Sequence, residues 1–187
     1  MLYIGDLLFK QKEKSISDFT KQVVCEHSIS HEKYWNVSKD YLKKNNLKII
    51  PFVENIFDDE EEQLIFDNYF KNTDAVFSLL GNNEVLYLKD YFNVFPSDIY
   101  LSLHFLYFIL FDKKITIFND NDYYHFWIGK EEDLKNIFKE KYKLFFNNFY
   151  KFYEELIEER KNNIQNNPYD GIIKIYDEYK DFFLKND

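Results

Sequence analysis

Residues 138–157, with the sequence FKEKYKLFFNNFYKFYEELI, carry the strongest periodic pattern in this 187-residue chain. Apolar side chains recur along it at alternating steps of four and three, which is the repeat of one helix face. One stripe consists of Phe138, Tyr142, Phe145, Phe149, Phe152 and Leu156, and an adjacent stripe consists of Phe146, Tyr150, Tyr153 and Ile157. The pattern predicts one long helix over residues 131–161 with a wide aromatic face.

A final helix is predicted over residues 169–184, because Pro168 suits a helix start. Its apolar side is formed by Ile172, Tyr176, Tyr179 and Phe183. We expect this helix to pack antiparallel against the long helix through the first aromatic stripe. The chain length fits a single domain, residues 1–187, and residues 131–187 are the candidate for a C-terminal helical subdomain.

The first two thirds of the chain contain patterns typical of short strands. Residues 47–53 predict a strand that Pro51 confines to an edge or an end of a sheet. Residues 75–80 and 84–88 predict a hairpin around Gly81, with a helix from Thr73 as the alternative. Residues 115–118 and 123–128 predict a second hairpin. The expected fold class is α+β: helix-rich, with short antiparallel strands and a long aromatic-faced helix near the C-terminus.

Four further helices are predicted from capping residues and apolar runs. They run from Ser17 to His27, from Ser30 to Leu42, from Asp58 to Phe70, and from near Pro96 to Phe111. In the third of them, residues 59–62 place four acids in the first turn, where the helix dipole favours negative charge. Its expected buried side chains are Leu64, Ile65, Tyr69 and Phe70.

Aromatic residues make up 21% of the chain, and two explanations of that excess stay open. The chain has twenty-three lysines against one arginine, Arg160, and is rich in Asn, Ile, Phe and Tyr. Lysine and these four residues have A/T-rich codons, so the genome of a low-GC bacterium, its phage or an AT-rich protist accounts for part of the composition. Aromatic side chains also serve both cores and binding surfaces.

The negative charge is concentrated in the middle of the chain. Residues 1–50 carry a net charge of +3, residues 51–133 carry −12, and residues 134–187 carry zero. A negative field repels nucleic acid and membrane surfaces and attracts basic partners. With a single arginine, binding to a phosphate backbone is not expected. The longest uncharged apolar run, residues 99–111, is too short to span a bilayer.

The sequence contains no motif that indicates an enzyme, a cofactor or a metal site. Its four scattered glycines form no phosphate-binding loop or nucleophile elbow. Cys25, His27 and His31 lie close together, but no second cluster completes a tetrahedral metal site. The single cysteine fits a reducing compartment, and residues 1–10 do not resemble a signal peptide, so a cytoplasmic location is expected.

These observations favour a protein-binding role in which the acidic middle of the chain recognises a basic protein, such as a toxin or nuclease. Immunity proteins, antitoxins and inhibitors of basic enzymes are of this general type, although no family motif is present. The alternatives are a subunit that oligomerises through apolar helix faces and an enzyme whose site is assembled from distant residues. The candidate binding residues are Asp58, Asp59, Glu60, Glu61, Glu62, Asp67, Asp120, Asp122, Tyr123 and Tyr124.

Overall fold

The computed structural model describes residues 8–10, 21–29, 32–53, 59–70, 75–79, 84–88, 107–111, 114–120, 124–162 and 170–185. These residues form an α+β structure, as predicted. The described strands are β1 (Leu8–Lys10), β2 (Val24–Ile29), β3 (Glu32–Val37), β4 (Lys48–Val53), β5 (Ala75–Leu79), β6 (Glu84–Leu88), β7 (Tyr107–Phe111), β8 (Ile115–Asp120) and β9 (Tyr124–Gly129). The described helices of six or more residues are α1 (Lys39–Lys44), α2 (Glu60–Phe70), α3 (Glu131–Phe138), α4 (Lys141–Lys161) and α5 (Asp170–Tyr179).

Seven of these strands form one antiparallel sheet in the order β1-β6-β5-β7-β8-β9-β4, and β2 pairs with β3 separately. Both predicted hairpins are confirmed. Strands β5 and β6 pair with Ala75 opposite Leu88, and β8 and β9 pair with Thr116 opposite Ile128. The alternative of a helix from Thr73 is wrong for residues 75–79.

Strand β4 lies at the edge of the seven-stranded sheet, which confirms the prediction from its proline. Ile49 directs its backbone outward: its N–H donates to Phe182 O at 2.9 Å, and its C=O accepts from Leu184 N at 2.8 Å. Hydrogen-bonding direction alternates along a strand, so Pro51, two residues on, also turns its nitrogen outward. The missing N–H of Pro51 therefore removes no hydrogen bond to β9.

Strand β9 lies between two apolar layers, and all six of its residues are buried. Successive side chains of a strand point to opposite faces of the sheet. On one face, Trp127 contacts Phe138 of α3, with ring centroids 4.9 Å apart. On the other face, Phe126 contacts Tyr179 of α5 at 5.5 Å. The Tyr179 hydroxyl donates to Val37 O at 2.7 Å, which ties α5 to β3.

Helix α4 passes the β4 edge and contributes to both layers. Its Phe145 contacts Phe52 at 4.6 Å, whereas Phe149 contacts Phe183 at 5.6 Å. The contact between Tyr153 and Tyr176, at 4.0 Å, lies further along α4 and earlier in α5. Residues later in α4 thus contact residues earlier in the segment formed by α5 and the residues after it, so the two run antiparallel. The contacts involve both aromatic stripes, rather than the first stripe alone as predicted.

Two predicted helix boundaries near the C-terminus are wrong. The helix expected over residues 131–161 is interrupted after Phe138, where Lys139 has a φ of 51°. The helix expected over residues 169–184 ends at Tyr179, because residues 182–184 leave it to hydrogen-bond with Ile49 of β4. Among the described helices, none combines the length and the apolar content needed to cross a bilayer.

The two helices predicted near the N-terminus are largely strands. Residues 24–29 and 32–37 pair as the β2–β3 hairpin, with Val24 opposite Val37. Residues 21–23 are helical, and the next described helix, α1, begins only after Ser38, whose Oγ accepts from Tyr41 N at 3.2 Å. The predicted caps, Ser17 and Ser30, lie outside the described residues.

The apolar helix predicted to end at Phe111 is also wrong over its last five residues. Residues 107–111, YFILF, form β7, which pairs with β5 on one side and β8 on the other. A short apolar run has no polar periodicity, so its sequence cannot separate a strand from a helix segment. Pro96 lies outside the described residues.

Replacing Phe149 by alanine should destabilise the protein by about 3–5 kcal/mol, because the ring is fully buried and its removal leaves a cavity in the core. Leu144→Ala is the matched control on the same helix, since Leu144 is 46% exposed. Urea denaturation of the two variants and the wild type measures the difference. Equal losses of stability for both variants would contradict the placement of Phe149 in the core.

Candidate functional site

The first turn of α2 begins at an acidic cap. Asp59 Oδ1 accepts hydrogen bonds from Glu61 N at 2.8 Å and from Glu62 N at 3.0 Å. These bonds satisfy two N–H groups that have no partner within the helix. The predicted cap, Asp58, lies outside the described residues, and the cap in the structure is the next residue.

Two of the acids that follow the cap remain at the surface. Glu60 and Glu61 are exposed, and Asp59 is half-buried. Glu61 Oε1 lies 3.4 Å from Lys141 Nζ at the start of α4, and both side chains are about half exposed. An exposed pair of this kind contributes about 0–1 kcal/mol and is screened by salt. The start of α2 therefore presents negative charge to solvent.

The buried side of α2 differs from the prediction. Leu64 is 61% exposed, although it was expected to be buried. The fully buried side chains are Glu62 and Phe66, which lie one helical turn apart, and Ile65 and Tyr69 are half-buried. The predicted residue Phe70 is the last residue of α2. We name the exposed group formed by Asp59, Glu60, Glu61 and Leu64 the α2 surface.

Glu62 is turned away from that surface into the protein interior, where its exposed fraction is 0%. Its Oε1 atom accepts from Trp127 Nε1 at 2.6 Å. His125 Nε2 lies 2.7 Å from the same oxygen and donates to it in the tautomer that carries the proton on Nε2. Because His125 and Trp127 are two residues apart in β9, their side chains point to the same face of the sheet.

Aromatic rings enclose these three side chains, which we name the Glu62 cluster. The His125 ring stacks on Phe52, its cross-strand neighbour, with centroids 4.6 Å apart and planes 10° apart. Phe66 meets the Trp127 ring edge-on at 6.0 Å. Glu62 therefore anchors the first turn of α2 to β9, and the surrounding residues keep it from solvent.

Burial raises the pKa of Glu62, because an apolar environment disfavours the charged carboxylate. The charge and hydrogen bond of His125 and the hydrogen bond from Trp127 act in the opposite direction but are weaker, and nearby Asp59 adds a small upward effect. Among the described residues, Glu62 Oε2 has no hydrogen-bond partner. Since Oε1 already accepts two N–H groups, Oε2 is the atom that would carry the proton of neutral Glu62.

A second buried oxygen lies on the same face of the sheet. Asn119 is directly opposite His125 in the β8–β9 pair, so the two side chains share one face. Asn119 Oδ1 is buried and has no hydrogen-bond partner within the described part of the chain. The polar interior therefore extends from α2 across β9 to β8.

The candidate binding residues separate into three groups. Glu60 and Glu61 are exposed and Asp59 is half-buried, as a surface role requires. Glu62 and Tyr124 are interior residues and do not contribute to a surface: Tyr124 is 3% exposed and contacts Phe126 at 4.9 Å. The remaining candidates, Asp58, Asp67, Asp120, Asp122 and Tyr123, have side chains outside the described part of the structure.

The Glu62 cluster also connects the two acidic segments that supply the candidate binding residues. Glu62 contacts His125, and His125 follows Tyr124, the first residue of β9. Asp120, the last residue of β8, pairs with Tyr124. The start of α2 and the ends of β8 and β9 next to the acidic loop therefore lie in the same region of the sheet.

Cys25, His27 and His31, which lie close together in the sequence, are only partly described. Residues 25 and 27 belong to strand β2, and His31 lies outside the described residues. Within the described ranges, no group of three or more His, Cys, Asp or Glu side chains is placed to hold a metal ion.

Comparisons of this chain with protein-family models, with curated proteins and with solved structures find no match. The candidate site therefore rests on the geometry of the described residues.

The polar cluster of His125, Trp127 and Asn119 was not predicted from the sequence. Two signals were available. Asp59 and Glu62 have the spacing of a capping box, in which the second acid normally reaches back to the cap. His125 and Trp127 alternate within a predicted strand and so share a face. Neither signal identifies the partner, because the α2 segment and β9 are distant in sequence.

As pH rises, the free energy of unfolding of the wild type should fall relative to that of a Glu62→Gln variant. The glutamine side chain of the variant is neutral at every pH. The raised pKa means that protonated Glu62 stabilises the fold; this contribution is fully present below the ordinary value of 4.5 and is lost as pH rises through the folded-state pKa. His125 and Asp59 are the titratable groups that act on Glu62. Urea denaturation of both proteins between acidic and neutral pH measures the difference.

Glu60→Gln is the control, because Glu60 lies in the same turn of α2 and is exposed to solvent. The difference in the free energy of unfolding between Glu60→Gln and the wild type should change little over the same pH range. If the wild type instead became more stable than Glu62→Gln as pH rises, the folded state would favour ionised Glu62. That result would contradict a raised pKa for Glu62.

Proposed function

We propose that this protein binds a basic protein and neutralises it, in the manner of an inhibitor or an antitoxin-like immunity protein. The observation that supports the proposal is the division of the first turn of α2. Glu62 is hydrogen-bonded in the core, while Glu60 and Glu61 are held at the surface. The same proposal includes a cytoplasmic location and a protein that uses no cofactor.

The anchor at Glu62 favours binding because it fixes the α2 surface before a partner arrives. The Asp59 cap holds the backbone of residues 61 and 62, and the Glu62 cluster holds the helix against β9. A surface that is already ordered loses less conformational entropy on association. Acids on a mobile loop would lack this advantage.

The size of the charge imbalance also favours binding over local stabilisation. One or two acids are enough to complement a helix N-terminus, and each contributes about 0.3–1 kcal/mol. The net charge of −12 over residues 51–133 exceeds that need. The surplus repels itself within the folded protein but accelerates encounter with a positively charged partner.

Two exposed apolar side chains accompany the acids. Leu64 lies one turn after Glu61 in α2, and Leu144 lies one turn after Lys141 in α4; both leucines are exposed. The ion pair between Glu61 and Lys141 joins the two helices at this point. Exposed apolar side chains bordered by charge are typical of protein interfaces. The matching partner surface carries lysine or arginine around an apolar centre.

The two exposed leucines also favour the second candidate, a subunit that self-associates through its helices. Charge favours the first candidate over this one. In a symmetric dimer the same surface meets its copy, so Glu60 and Glu61 would face the same acids of the other chain. Like charges placed together oppose association. A basic partner removes that conflict. An enzyme with a site formed from distant residues remains the third candidate.

A variant with Glu60→Gln and Glu61→Gln should associate more slowly with a basic partner and show a flatter salt dependence, because steering by opposite charges is lost. The probe is a helical peptide with lysine on one side and leucine on the other. The control variant, Glu155→Gln with Glu158→Gln, removes the same charge from an exposed part of α4. Stopped-flow association at low and high salt measures both variants.

The proposal requires the α2 variant to lose association rate at low salt while the control keeps the wild-type rate. Equal behaviour of the two variants would overturn it, since the net charge alone would then explain binding. Sedimentation of the protein without peptide separates the second candidate: a mass that rises with concentration at every salt level would indicate self-association.

A further inference from the structure

A group of tyrosines lies on the outer side of the contact between α4 and α5. Tyr153 and Tyr176 stack with centroids 4.0 Å apart and planes 21° apart. Tyr150 contacts Tyr153 at 5.9 Å and Tyr176 at 5.6 Å, so the three rings form one group. Tyr150 is 36% exposed, and the other two are partly buried. We name these three residues the tyrosine cluster.

The Tyr150 ring is supported from inside the protein. Phe146, one turn earlier in α4, stacks beside it with centroids 6.1 Å apart and planes 17° apart. Phe146 is itself buried and contacts Phe183 at 6.2 Å. Stacking between Tyr153 and Tyr176 already joins α4 to α5. The Tyr150 ring is therefore held by three neighbouring rings while about a third of the residue stays open to solvent.

Carboxylates lie beside these rings. Glu154 lies one turn after Tyr150 and is exposed, and the Tyr150 hydroxyl donates a hydrogen bond to its carboxylate. That hydrogen bond raises the pKa of Tyr150. Burial raises the pKa of Tyr176, and Tyr150, Tyr153, Asp177 and Glu154 raise it further. The hydroxyls of Tyr150 and Tyr176 therefore stay protonated at neutral pH, so these two rings remain neutral beside the carboxylates.

Aromatic rings and carboxylates together attract one kind of ligand. The face of a tyrosine ring is electron-rich and attracts a cation placed over it. A guanidinium group is planar, stacks on such a ring, and can donate paired hydrogen bonds to a carboxylate. An ammonium group is compact and strongly hydrated, and it lacks this planar fit.

We propose that the tyrosine cluster and Glu154 form a binding site for an arginine side chain of a peptide or protein ligand. The guanidinium group stacks on the exposed ring of Tyr150 and pairs with the carboxylate of Glu154. The fixed rings of Phe146, Tyr153 and Tyr176 hold Tyr150 in place before the ligand binds.

This site is separate from the α2 surface. Tyr150 follows Lys141 by nine residues in α4, which is two and a half helical turns or about 13 Å along the axis. The two residues therefore lie on opposite sides of that helix. The proposal of an arginine site does not depend on whether the α2 surface binds a basic partner.

The test uses three short peptides that differ only at the central residue, which is arginine, lysine or citrulline. Citrulline keeps the planar shape of arginine but has no charge. Titration of the ¹⁵N-labelled protein, followed by NMR, gives both the binding site and the affinity. The arginine peptide should shift the amides around Tyr150 and Tyr176 and bind most tightly. The lysine peptide should bind more weakly, and the citrulline peptide should produce no shift at the cluster.

Variants assign the contribution of each group. Tyr150→Leu removes the ring face from an exposed position and should weaken binding of the arginine peptide about 2- to 5-fold. Tyr150→Phe keeps the ring and should retain most of the affinity. Glu154→Gln should weaken binding by removing the charge, whereas Glu158→Gln, one turn further along α4, should have no effect. The unchanged amide spectrum elsewhere confirms that each variant is folded.

Three results would overturn the proposal. One is equal affinity for the arginine and lysine peptides together with an unaffected Tyr150→Leu variant, which would indicate diffuse attraction to a negative surface. Another is binding of the citrulline peptide as tight as that of the arginine peptide. The third is a set of shifts that maps to the α2 surface and leaves the amides near Tyr150 unchanged.

Discussion

The hydrogen bonds that Glu62 accepts from Trp127 and His125 are the constraint on which the arrangement of α2 depends. They join this helix to strand β9 across 63 and 65 residues of sequence. A buried carboxyl group is costly unless donors satisfy it, and removing one donor would leave an uncompensated polar group in the core. The first turn of α2 therefore has one allowed orientation, which determines the acids that reach solvent.

The same strand organises the rest of the described structure. Trp127 and His125 point toward α2 and α3, and Phe126 points toward α5, so β9 carries both apolar layers. At the β4 edge, the backbone of residues 182–184 bonds to Ile49 and protects part of an edge that would otherwise be open. Pro51 occupies the same edge without loss, because its nitrogen needs no partner there.

The two proposed binding surfaces differ chemically. The α2 surface combines exposed acids with Leu64, and we propose that it attracts a basic partner over a distance, through a field that salt screens. We propose that the tyrosine cluster binds at contact, through ring faces and one carboxylate, with less sensitivity to ionic strength. Both surfaces are attached to buried side chains, Glu62 in one case and Phe146 in the other, so neither requires folding on binding.

Local patterns were sufficient to predict much of the fold: the α+β class, the two hairpins, the edge strand with Pro51 and the aromatic helix ending at Lys161. These features depend on turn residues and on periodicity within a few residues. The strand over residues 107–111 was not predictable in this way, because its partner β5 is distant in sequence. The hairpin over residues 24–29 and 32–37 and the helix interruption at Lys139 were also missed, although the hairpin pairs two neighbouring segments. The acids of α2 show the limit most clearly. Glu60, Glu61 and Glu62 are identical residues in one run, and the sequence by itself determined only that they begin a helix. The tertiary structure decided that Glu62 enters the core, because its donors on β9 come from a part of the chain more than sixty residues away.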